Sequence, residues 1–95
     1  MKKYKVLIRG ENFLMRLDSI KQKLGFYTTR FVEASDEEEA EYAVMDLLRV
    51  ELASGVLNQE TDTPMMYAEE IEELRSFDGH PFPGTGLAFF PMQER

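Results

Sequence analysis

The sequence predicts a small α+β fold, a two-layer sandwich of mostly antiparallel sheet with one long helix on one face. Three observations predict it. Two stretches in the first third alternate apolar and polar residues with the period of a strand. One stretch in the middle combines a helix start signal with a single apolar stripe. Two later stretches, separated by dense turn signals, complete a β-β-α-β-β order. The 95 residues are read as one domain, 1–95.

Tyr4, Val6 and Ile8 alternate with Lys5, Leu7 and Arg9, which reads as a strand with one buried face. Gly10-Glu11-Asn12 interrupts it, and the apolar parity then flips to Phe13, Met15 and Leu17. Such an offset is what a β-bulge or tight turn produces, and glycine permits the backbone angles required. Residues 18–25 are mostly polar and end in Gly25, so a loop is expected there. Phe26 to Ala34, rich in aromatic and β-branched residues, is the second strand.

Ser35-Asp36-Glu37-Glu38 fits a capping box, with Ser35 as the cap and Glu38 reaching back to it. Glu37, Glu38, Glu39 and Glu41 offset the positive end of the helix dipole. Ala40, Ala43, Val44, Leu47 and Leu48 recur at helical spacing, Arg49 sits near the far end, and Gly55 is a natural stop. A helix is expected from Asp36 to Ala53. Residues 58–64 read as a polar loop.

Met65 to Phe77 reads two ways. Its glutamates favour a helix by propensity. The architecture favours a strand, because one helix already covers one sheet face and an acidic strand would neutralise the basic ones beside it. The strand is the expectation. Asp78-Gly79, His80-Pro81, Pro83-Gly84 and Thr85-Gly86 are turn signals, and Leu87 to Phe90 is a short last strand ended by Pro91. The expected core is Tyr4, Val6, Ile8, Tyr27, Phe31, Ala40, Ala43, Val44, Leu47, Leu48, Ile71 and Phe89. By alternation, the sheet face left uncovered carries Lys5, Leu7, Arg9, Phe26, Thr28 and Arg30.

Charge is unevenly spread. Residues 1–30 hold eight basic groups against two acidic ones, and residues 31–95 hold three against sixteen, for a whole-chain net charge of −7. Pairing of basic strands with acidic elements inside the fold is the expected reading, ahead of a basic patch with a partner. The 43% hydrophobic content and eleven aromatic residues exclude a disordered tail. The absence of cysteine excludes thiol catalysis and thiolate metal sites. No apolar run approaches the roughly 20 residues of a membrane span, nor does the start read as a signal peptide, so a cytoplasmic protein is expected.

The signals for chemistry are weak. His80 reads as a turn residue, and Ser19, Ser35 and Ser76 are not in a nucleophile elbow. Glu69-Glu70 and Glu72-Glu73 read as a solvated or ion-paired surface rather than a metal site. Gly84-Thr85-Gly86 precedes a strand rather than the helix that a phosphate cradle needs, and reads as a turn. No cofactor and no metal are expected. The function expected is that of a small, acidic, non-enzymatic module working by protein–protein contact. It would form a homodimer or dock a partner on the uncovered face through Lys5, Leu7, Arg9, Phe26, Thr28 and Arg30. An acidic inhibitor or immunity-like protein binding a basic partner is the alternative. Nucleic-acid binding through the basic N-terminal strands is a further one, opposed by a pI of about 4.7.

Overall fold

Asp18 and Ser19 both take left-handed backbone angles (φ 52° and 68°), the signature of a tight two-residue hairpin turn. This turn joins β1 (Lys2–Leu17) directly to β2 (Ile20–Ala34), with Leu17 opposite Ile20. The loop expected over 18–25 is therefore confined to Asp18-Ser19, and Ile20 to Gly25 extend the second strand. Lys21, Gln22 and Lys23 follow one another without a polar–apolar alternation at the outer end of the hairpin, which is why the segment reads as a loop, while Leu24 and Gly25 are buried. The interruption at Gly10-Glu11-Asn12 is a β-bulge. Gly10 pairs with Phe26 and Phe13 with Leu24, so two residues of β1 face Gly25 alone, and Asn12 adopts φ 62°.

The computed structural model describes residues 1–80, 82 and 84–92. The turn signals at Pro81 and Pro83 lie outside the described residues. After β2 come α1 (Glu37–Leu52), β3 (Met65–Leu74) and β4 (Ala88–Pro91), in the β-β-α-β-β order. The strands form one antiparallel sheet in the order β3-β1-β2-β4. The fold is thus a small α+β fold with one helix and a four-stranded antiparallel sheet. The strand reading of the segment from Met65 prevails over helix propensity because β1 offers it a full ladder of backbone partners and facing cations.

The helix cap sits one residue later than expected. Asp36, not Ser35, is the cap, and its carboxylate accepts from the Glu39 amide at 2.8 Å. Glu39 reaches back to the Ser35 hydroxyl at 2.7 Å. The buried stripe is Ala40, Val44, Met45, Leu48 and Leu52. Ala43 is exposed and Leu47 half-buried, so the stripe is rotated toward Met45 and Leu52. It packs on Tyr4, Val6, Ile8, Phe13, Phe26 and Ala34 of the hairpin, with Ile71 and Phe89 at the margins.

Candidate functional site

The bulge decides which β2 side chains are available for binding. It shifts β1 by one residue, so that even-numbered residues of β1 stand beside even-numbered residues of β2: Val6 opposite Arg30, Ile8 opposite Thr28, Gly10 opposite Phe26. Cross-strand partners share a face. Phe26, Thr28 and Arg30 therefore lie under the helix and are buried, which corrects their expected place on the open face. Tyr27, expected in the core, faces the other way and is 45% exposed. Phe31 is buried as expected, but on the side away from the helix, under Phe77 and His80.

Arg30 is held by its surroundings. Its guanidinium, 1% exposed, pairs with Glu51 of α1, and its Nε donates to the Thr28 hydroxyl at 3.0 Å. Thr28 in turn donates to the Gly86 carbonyl at 2.6 Å. Hydrogen bonds from Arg30 hold the Glu51 carboxyl below its ordinary pKa. The arrangement ties β2, the helix end and the segment before β4 together. Arg30 is a structural residue, unavailable to a partner.

Lys5, Leu7 and Arg9 do lie on the face away from the helix, half-buried. That face is not wholly open, because the segment after β3 crosses it on the way to β4. Phe77 from this segment packs on Phe31 and under the Lys3 ammonium, and His80 stacks 4.9 Å from Phe31. Beyond the crossing, one row of side chains spans three strands: Tyr67 of β3, Arg9 of β1 and Tyr27 of β2, each directly opposite its neighbour. The Arg9 guanidinium stands 4.9 Å from the Tyr67 ring centroid and donates to Glu69 and Glu11. The hydrogen bond with Glu69 raises the Arg9 pKa further. Leu7 and Thr29 form the next row, followed on β3 by Glu70.

The uneven charge of the chain is resolved inside the fold. Lys2 pairs with Glu73 at 3.9 Å, Lys5 with Glu70 at 4.0 Å, and Arg9 with Glu69. Acidic β3 lies beside basic β1, as the intramolecular reading of the sequence required.

A concave feature on the helix side of the sheet was not foreseen from the sequence. Between α1 and the start of β3 runs an apolar groove of about 550 Å³. Tyr42, Met45 and Arg49 form one wall and Pro64, Met65 and Met66 the other, with Phe13 between them. Phe13 reaches it only because the bulge flips the parity of β1, a signal that the sequence carried. The loop that brings Pro64 up to the helix is fastened by Asn12, whose side-chain amide donates to Asp62 at 2.9 Å and to the Thr63 carbonyl at 3.3 Å. Hydrogen bonds from Asn12 and then Lys23 hold the Asp62 carboxyl below its usual pKa.

His80 is exposed, in a turn where its amide donates to the Phe77 carbonyl at 2.9 Å. Among the described residues, no three His, Asp or Glu side chains converge to hold a metal ion, and no helix is long and apolar enough to cross a membrane. The chain matches no known protein family, no curated protein and no solved structure.

Proposed function

We propose that the chain is a non-enzymatic interaction module that docks another protein on the open half of its sheet. The observation supporting this reading is the row Tyr67–Arg9–Tyr27, in which the two tyrosines are 38% and 45% exposed. Tyrosine and arginine dominate protein interfaces because they bury large areas and keep a polar end that finds a partner. Glu69, Glu70 and Glu72 border the row on the β3 side, and the chain as a whole carries −7. The complementary surface is therefore an apolar patch ringed by lysines and arginines. Nucleic acid fits less well, because Lys5 and Arg9 already face carboxylates that would repel a phosphate.

Affinity capture with wild-type chain and with a Tyr27→Glu/Tyr67→Glu variant tests the reading. At least one protein held by the wild type should be lost by the variant while circular dichroism stays unchanged, and the purified protein should bind the wild type alone. Identical captured sets for both chains would overturn the proposal.

A further inference from the structure

We propose that α1 also pairs this chain with a second copy of itself, antiparallel, along a stripe of the exposed Glu38, Tyr42 and Arg49 together with Met45, which packs on its own core and is 6% exposed where it lines the groove. These positions are four, three and four residues apart, the spacing that keeps side chains along one seam of a helix pair. The stripe is complementary to its own reverse. In a two-fold antiparallel pair, Glu38 stands opposite the second copy's Arg49, and Tyr42 opposite the second copy's Met45, each relation occurring twice. Such a contact is isologous and closed, as a symmetric dimer requires. The antiparallel order also sets Arg49 of each helix beside the acidic first turn of the other, Glu37 to Glu39, where unlike charges meet.

The surface beside the stripe is shaped for this occupant. Tyr42 is 60% exposed at the lip of the apolar groove, a large ring held in water next to a concave wall of Met45, Pro64 and Met65. The second copy's Tyr42 enters that groove and the relation is returned on the other side, so both rings leave water. Methionine-lined walls adapt to such a ring. Arg49 is free to change partners. Among the described residues of the single chain it bonds only to Asp46 on its own helix, at 2.8 Å, with the two side chains 65% and 75% exposed. An exposed pair of this kind contributes little that would have to be given up. The contact is one helix long, so the dimer is weak and concentration-dependent. Because α1 and the Tyr67–Arg9–Tyr27 row lie on opposite faces of the sheet, a pair joined through α1 turns both rows outward. The inference is independent of the docking reading above.

Sedimentation equilibrium of the full chain over a wide concentration range tests it, with circular dichroism confirming the fold of each variant. The wild type should reach a dimer, and Tyr42→Ala should raise its dissociation constant by at least about tenfold. Glu38→Arg alone and Arg49→Glu alone should each be monomeric, since each sets like charges together at both ends of the seam. Mixed in equal amounts, those two monomeric variants should form a heterodimer, and the doubly reversed chain should dimerise like the wild type. A purely structural role for these residues would not produce recovery on mixing. A wild type monomeric at every concentration would overturn the proposal. So would a dimer indifferent to Tyr42→Ala, or two single variants that stay monomeric together.

Discussion

The ring of Phe26 occupies the space where a side chain at Gly10 would begin. A β-carbon on Gly10 would stand 2.1 Å from Phe26 Cε2, closer than any packed pair of carbons allows. Gly10 and Phe26 are cross-strand partners beside the bulge, so the missing side chain of one is filled by the other. On the opposite face the ring of Phe90 lies over Gly25 in the same way, 2.3 Å from where its β-carbon would be. Two aromatic rings thus close the sheet over two glycines.

Gly10→Ala is therefore expected to destabilise, although alanine ordinarily suits a strand better than glycine. Phe26 is fully buried and can move only by disturbing Phe13 and Phe89, whose rings lie 5.1 Å and 6.0 Å from its own. Overpacking of this kind costs about 1–3 kcal/mol. Thermal denaturation followed by circular dichroism should show a fall of several degrees.

Ser19→Gly should act in the opposite direction. Ser19 holds φ 68° at the second turn position of the hairpin, where a side chain is strained and glycine is not. Relief of about 1–2 kcal/mol is partly offset by the greater freedom of glycine in the unfolded chain, about 0.4–1 kcal/mol. A net gain of roughly 0.5–1 kcal/mol in chemical denaturation is expected.

Removing Glu51 should leave a buried cation whose one remaining side-chain partner among the described residues is Thr28. Glu51→Ala is expected to cost about 2–3 kcal/mol, below the cost for a wholly buried pair because the Glu51 side chain is itself 37% exposed. Adding Arg30→Met to Glu51→Ala should recover most of the loss, since the guanidinium is then no longer stranded under the helix. Equilibrium urea unfolding of the two single variants and the double variant measures the coupling.

Acid should weaken the fold through the two depressed carboxyls. The Glu51 pKa is lowered by hydrogen bonds from Arg30, and that of Asp62 by hydrogen bonds from Asn12 and Lys23. A folded-state pKa below the unfolded one means that the unfolded chain binds more protons in between. The stability these groups contribute is complete above the unfolded values, near about 4, and is lost as pH falls through the folded ones. Melting temperatures should therefore fall on acidification below about pH 4.5. A Glu51→Gln/Asp62→Asn variant should show a shallower fall.

Asn12→Gly would keep the left-handed bulge while deleting the contacts that hold the loop before β3. The expected outcome is an Asp62 carboxyl that titrates at higher pH, readable by nuclear magnetic resonance, together with faster amide exchange across residues 58–64. An unchanged Asp62 titration would show that Lys23 alone sets its ionisation.

Most of the candidate surface was legible on β1 and little of it on β2. Lys5, Leu7 and Arg9 follow from the alternation around Tyr4, Val6 and Ile8, where only one parity is apolar. On β2 both parities carry large rings, Phe26 on one side and Tyr27 and Phe31 on the other, so hydrophobicity could not choose a face. An arginine was the natural candidate for water, and its burial depends on Glu51, which is 21 residues away in the chain and on a different element. Tyr67 was recognised as part of a strand but could not be placed opposite Arg9, because a second irregularity between Leu7 and Ile8 sets that register.

By itself the sequence determined the chain order of the elements once Met65 was read as a strand, an irregularity after Gly10 that is a bulge or a tight turn, the helix start to within one residue, and a mostly antiparallel sheet. These follow from local patterns of polarity, turn residues and capping groups, which act over a few neighbours. Only the tertiary structure decided which face each β2 side chain takes, where Arg30 finds its counter-charge, and that the helix and β3 enclose a groove. A two-residue turn and a one-residue bulge together set the hairpin register. Because side chains alternate sides along a strand, an offset of one residue exchanges the inside of a sheet for its outside.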